Sequence, residues 1–268
     1  MKTATQLESR QGELWRRFES VNDPELDEPV TDMGFIEHAT IAADGQVDVG
    51  FRLPTYWCSP NFAFLMLDDV RSALEALSWS PRYHITLHDH MFAEEVNKGI
   101  ADGKSFKEIF GSLAEDADLE DLREKFRVKA FKRRQEAVIL DFRAIGMTDS
   151  DIVAITCATF DAHAFGSEEA AKHKARYREA WFARFPDLSS NAAMIVNYEG
   201  GRIGSGALST HLADLRSVRI NMEFNGALCR GLKHTRYKEM EMIDGEPTLV
   251  DFIIGRVPKT ETQPHSNR

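Results

Sequence analysis

Two incompatible periodicities meet around a single thiol in the stretch Phe51-Arg52-Leu53-Pro54-Thr55-Tyr56-Trp57-Cys58-Ser59-Pro60. Before it, Val47, Val49, Phe51 and Leu53 alternate with polar or small residues, the period of a strand with one buried face. After it, Ser59 suits an N-cap and Pro60 the first helical position. Phe64, Leu65, Leu67, Val70, Leu74 and Leu77 then follow at helical spacing. Cys58 is thereby placed in a loop just ahead of a helix N-terminus. Free amides and the helix dipole there favour a thiolate, which is both a nucleophile and a soft metal ligand. The competing reading is a free cysteine buried as a small hydrophobe.

Upstream, Leu7, Leu14, Trp15 and Phe18 mark a short amphipathic helix that stops at Val21-Asn22-Asp23-Pro24-Glu25-Leu26. Pro29-Val30-Thr31-Asp32-Met33-Gly34-Phe35-Ile36 follows, with Gly34 suited to a tight bend into a strand over 35–41. Asp44-Gly45 predicts the hairpin turn that leads back to the Cys58 loop. Asp23 and Glu25 serve either as turn and cap residues or as hard oxygen ligands.

These blocks in this order, ending in one cysteine before a helix, resemble the SufT-like family, small α+β domains of metal–sulfur cluster biosynthesis and iron–sulfur protein maturation. The resemblance covers about residues 10 to 90, a third of the chain. It implies that Cys58 is the functional thiol and that Asp23 and Glu25 match the family's acidic pair. Thr55, in the same loop, is a further candidate. The family usually has a small Gly- and Pro-containing loop before the cysteine; here the loop is the bulky Tyr56-Trp57. That suggests a specialised pocket or a docking surface.

The chain has 268 residues, 43% of them hydrophobic, enough for one large domain or two ordinary ones. A net charge of −10 argues against general nucleic-acid binding. Cys58, Cys157 and Cys229 lie far apart, with no CxxC pair and no secreted disulfide framework. Met1 to Arg10 is polar, unlike a signal peptide, and no run approaches the roughly 20 apolar residues of a membrane span. A cytoplasmic setting without membrane contact is the expectation.

Arg82 to His90 predicts another strand. Tyr83, Ile85 and Leu87 fall on one face; His84, Thr86, His88 and, if the strand persists, His90 fall on the other. Met91 to Ile100 reads as a helix carrying Glu94 and Glu95. His84, His88, His90 and Glu94 are candidate ligands for iron, zinc or manganese, with His88 and His90 sharing one ion and Glu94 arriving from the helix. A solvated polar strand face is the alternative.

Gly99 to Gly111 holds a short helix, and the acidic Glu115 to Asp121 begins the next element. Leu119 to Phe142 marks a long helix ending near Gly146. Its basic face carries Arg123, Lys125, Arg127, Lys129, Lys132, Arg133 and Arg134, to dock an acidic partner or to pair with nearby carboxylates. Thr148 to Asp151 has capping-box form, opening a helix from Ile152 to about His163, and Ser167 starts another. Met194 to Tyr198 and Ser217 to Phe224 read as strands, and Asp244-Gly245-Glu246-Pro247 as a hairpin between Lys233–Ile243 and Thr248–Val257. Cys229-Arg230-Gly231-Leu232-Lys233-His234 is the chemically suggestive segment of that part.

The expected architecture is α+β: a small SufT-like α/β domain over 1–100, a helical extension over 101–190, a β-rich unit over 191–257, and a disordered polar tail over 258–268. No complete catalytic set emerges, so the chain reads as a maturation factor rather than an enzyme. It would bind or deliver iron or an iron–sulfur cluster through Cys58 to a client metalloenzyme subunit, with homodimerisation open. By family association that client is a multicomponent di-iron monooxygenase. Two alternatives stand: a metal-free assembly chaperone, and a metal-dependent enzyme using the His84/His88/His90 face.

Overall fold

A computed structural model describes residues 2–111 and 119–237, with the short strands 242–243 and 246–247. The Thr248–Val257 strand, the tail from Pro258 and the start of the acidic element at 115–118 lie outside the described residues.

The predicted strand, loop and helix form as expected. β1 (Asn22–Asp23) and β2 (Glu28–Pro29) are a two-residue antiparallel pair after α1 (Lys2–Phe18). β3 (Ile36–Ile41) and β4 (Val47–Arg52) are antiparallel, turning at Gly45, whose φ of 86° suits glycine. α2 (Pro60–Glu75) then crosses to β5 (Tyr83–His88), parallel to β4, with Val47 opposite Tyr83 and Arg52 opposite His88. One face of this three-stranded sheet buries Val47, Val49, Phe51, Ile85 and Leu87 in a core shared with α1 and α2. α3 (Ala93–Ala101) and α4 (Phe106–Phe110) close that core with Val96, Ile100, Phe106 and Phe110.

A second core is helical. α5 (Leu119–Ala144), α6 (Asp149–Val153), α7 (Cys157–Ala162) and α8 (Glu168–Arg184) pack Phe131, Ile139, Phe142, Phe160, Tyr177 and Trp181 together. The capping box forms as predicted, Thr148 Oγ1 accepting from the Asp151 amide. The helix predicted over 152–163 is instead two short ones, because Thr156 starts a second capping box. The buried Gln135 amide donates to Tyr177 Oη at 2.6 Å and to the Val196 carbonyl at 2.8 Å, fixing the interior of this core.

The expected β-rich unit is overturned in the described residues. Met194, Ile195, Val196 and Tyr198 are irregular chain, with isolated bridges at Ala193 and Val196, and they complete the helical core. After a short 3₁₀ turn at Ser205–Ala207, α9 (Leu208–Tyr237) replaces the strand predicted over 217–224. Strand alternation would put Ile220, Met222 and Phe224 on one face. Instead Met222 is 1% exposed while Ile220 and Phe224 are 54% and 69% exposed. Burial follows Leu208, Leu212, Leu215 and Met222, a helical spacing. Of the predicted hairpin, the described residues show β6 (Met242–Ile243) paired with β7 (Glu246–Pro247).

The basic face of α5 is used within the chain. Arg123 pairs with Asp68 and Asp69, Lys129 with Glu25, Arg133 with Glu28, Arg134 with Asp27 and Lys132 with Asp214. The expected pairing with nearby carboxylates forms, and it seats the helical core on the sheet domain.

Candidate functional site

Cys58 sits half-buried in the loop between β4 and α2, directly before the N-cap Ser59 and the N1 proline Pro60. Its sulfur is 3.0 Å from Oγ1 of the buried Thr55. The Cys58 side chain packs against the edge of the sheet-domain core. The two residues before it are turned outward: Tyr56 is 51% exposed and Trp57 is 71% exposed.

The histidine strand is placed correctly up to His88 and then departs from expectation. β5 ends at His88, and Asp89 takes φ 48°, a left-handed conformation that Asp tolerates. That turn sends His90 inward rather than onto the His84/His88 face. His90 is buried, its Nδ1 accepts from the Phe92 amide at 3.2 Å, and its Nε2 donates to the Cys58 carbonyl at 2.7 Å. Both ring nitrogens are thereby occupied, so His90 braces the Cys58 loop and has no lone pair left for an ion. Burial pushes its pKa down, with Arg236 nearby adding to the effect against the favourable Cys58 carbonyl.

The remaining members of the expected ligand set stay apart. His84 and Glu94 are exposed on β5 and α3. His88 stacks loosely with His38 of β3, ring centroids 6.3 Å apart, and His38 itself pairs with Asp48 at 2.8 Å. Among the described residues, no three His, Cys, Asp or Glu side chains are grouped to hold a metal ion. The strand ends two residues before His90, so His88, His90 and Glu94 are not brought to one face as the sequence led us to expect.

Asp23 is buried and acts as the turn residue, its Oδ1 accepting from the amides of Glu25 and Leu26 at 2.9 Å each. Desolvation outweighs those two bonds and pushes its pKa up to about 6. Glu25 is held by Lys129 at 3.4 Å and by Asn225 of α9 at 3.3 Å. Glu25 thus joins the sheet domain to both long helices, while Asp23 shapes the turn that presents it.

Sequence reasoning missed two participants, Asp27 and Arg236, and misplaced a third, Cys229. Asp27, buried at φ 52°, receives both Nε and Nη2 of Arg134, at 2.9 and 2.7 Å, and is 3.1 Å from Arg176. Cys229 of α9 packs on the same core as Cys58. Arg236, two turns further on, donates to the carbonyls of Leu53 and Asp89, at 3.5 and 2.6 Å. The Cys229–His234 segment was singled out in the sequence, but assigning it to a β unit separated it from Cys58, and Arg236 lies just beyond it.

No helix among the described residues is long and apolar enough to cross a membrane. No curated protein and no solved structure matches the chain. Residues 12–82 match the family model described as iron-sulfur cluster assembly protein, so the domain that carries Asp23, Thr55 and Cys58 is similar to that family, while His90 and the helices that brace it lie outside the match.

Proposed function

We propose that the protein is a non-catalytic assembly factor that takes up iron, or an iron–sulfur unit, as cargo at Cys58 and passes it to a client metalloenzyme subunit. The position of Cys58 carries this reading. The thiol is half-buried, 3.0 Å from the Thr55 hydroxyl, in a loop whose backbone is pinned by His90 and whose rim is the exposed Tyr56-Trp57 pair. A fixed thiol with an open side suits transient holding of a soft cargo, and the aromatic rim suits recognition of the recipient. The match of residues 12–82 to an iron-sulfur cluster assembly family supports the same class of task. The client class we favour, from the resemblance, is a multicomponent di-iron monooxygenase.

The test is anaerobic loading of purified protein with iron(II), with and without sulfide, followed by metal analysis. Wild type is expected to retain about one iron per Cys58 thiol, and Cys58→Ser to lose it. Equal iron in both would remove Cys58 from the reading.

The exposure of Trp57 favours a second reading, in which the loop grips a folding client subunit and no metal is carried. Capture of the client by Cys58→Ser protein, with normal client activity, would select it.

A further inference from the structure

α9 docks with one side and leaves the other open. Asn225 and Arg230 bond to Glu25 and Glu28 of the sheet domain, and Met222 and Gly226 are buried. Roughly opposite on the helix, Ile220, Phe224, Leu228 and Leu232 are 54%, 69%, 53% and 39% exposed. They are four of the eleven large apolar side chains exposed among the described residues. The four recur at every fourth position, so they stand as one continuous ridge along the helix. Beside the ridge runs the row Glu223, Ala227, Gly231 and Thr235, exposed throughout and small in its middle. A Cβ at Gly231 would meet nothing within 4 Å, so that row is an open groove.

We propose that this face pairs with the same face of a second copy of the chain, the two α9 helices packed antiparallel about a two-fold axis at the level of Gly226. The face is complementary to itself. Each copy offers a ridge of large apolar residues and, next to it, a groove of small ones. Two such i, i+4 ridges interdigitate when the helices cross at about −50°. A two-fold axis makes both halves of the contact identical, as an isologous interface requires. It sets Phe224 of one copy against Leu228 of the other, and Ile220 against Leu232. Four apolar residues disposed evenly about one midpoint suit that symmetry. Area argues the same way. The ridge leaves on the order of 400 Å² of apolar surface in water, in the range of the largest patch on a typical monomer. Two ridges remove roughly twice that, and with a polar rim of the usual share the contact comes to about 1,400 Å², the size of a standard stable interface. The pairing is independent of what Cys58 carries.

Light scattering coupled to gel filtration of the full-length protein is the test. At tens of micromolar, wild type is expected at twice the 30.3 kDa mass of one chain. Phe224→Glu and Leu228→Lys are each expected to run as monomers, with dimer affinity down roughly tenfold or more. Their circular dichroism should match wild type, because both side chains face solvent in the single chain. Ile145→Glu, at a site 52% exposed and away from α9, should remain dimeric. Mixed in equal amounts, Phe224→Glu and Leu228→Lys are expected to return to the dimer mass. The antiparallel pairing sets the new carboxylate of one chain against the new ammonium of the other and keeps one Phe224–Leu228 contact intact. A monomeric wild type would overturn the proposal, and so would a Phe224→Glu protein that stays dimeric. A mixture that fails to recover would overturn the antiparallel arrangement.

Discussion

His90 Nε2 donates to the carbonyl of Cys58 at 2.7 Å, joining two loops 32 residues apart. The bond fixes the peptide that carries the thiol, while the Phe92 amide on Nδ1 fixes the ring. His90→Ala would leave a buried carbonyl and a buried amide without these partners, a cost of about 1–3 kcal/mol. The expected outcome is a lower unfolding midpoint and faster labelling of Cys58 by a thiol reagent. His84→Ala, on the exposed strand face, should change neither. Identical labelling rates in both variants would remove the bracing role.

Asp27 and Arg134 anchor the helical core to the sheet domain through two parallel hydrogen bonds on a buried carboxylate. Arg134→Ala leaves that buried carboxylate with Arg176 and the Asn22 amide beside it and should cost about 3 kcal/mol in urea unfolding. The double variant Asp27→Asn with Arg134→Met should cost less than Arg134→Ala alone, because no buried charge is left. A double variant worse than the single would mean that the clamp acts through shape rather than charge.

Asp23 supplies a pH signature. Its folded pKa of about 6 lies above the ordinary 3.8, so the fold favours the protonated acid. The stability this contributes is full below about pH 4 and is lost as pH rises through 6. Asn at this position keeps an oxygen for the Glu25 and Leu26 amides and does not titrate. Asp23→Asn is therefore expected to be more stable than wild type at pH 8, by on the order of 2 kcal/mol, with the advantage gone at pH 4. Thermal unfolding across that range checks it; a pH-independent difference would contradict the burial effect.

Trp57 projects into solvent beside the thiol, with few intramolecular contacts to lose. Trp57→Ala is expected to leave the unfolding midpoint within about 0.5 kcal/mol of wild type. Iron loading should also be unchanged, while capture of the client subunit falls by roughly tenfold or more. Unaltered capture would move the docking surface elsewhere.

The strand, loop and helix around Cys58 were legible because each rests on a local repeat: Val47, Val49, Phe51 and Leu53 on one, Phe64 through Leu77 on the other. The Thr148–Asp151 capping box was legible for the same reason. α9 was not. Its first turns bury Leu208, Leu212 and Leu215 in one core, and its later turns dock on another through Asn225, Arg230 and Arg236. No single apolar stripe runs its length, and the chance alternation of Val218, Ile220, Met222 and Phe224 imitates a strand. The inward turn of His90 hung on one backbone angle at Asp89. The packing of Cys229 on the sheet-domain core depends on contacts far away in sequence, beyond any local pattern.

The salt bridges between α5 and the sheet domain make the family-sized piece an incomplete object. Asp68 is shared between Arg71 inside the segment and Arg123 beyond it, whereas Asp27, Glu25, Glu28 and Asp69 find their cations on helices beyond residue 82. A chain trimmed to the matching segment would carry those carboxylates bare along one side, repelling one another and the anionic surfaces of would-be recipients. Whatever this domain does in isolation, its charge would be that of a different protein.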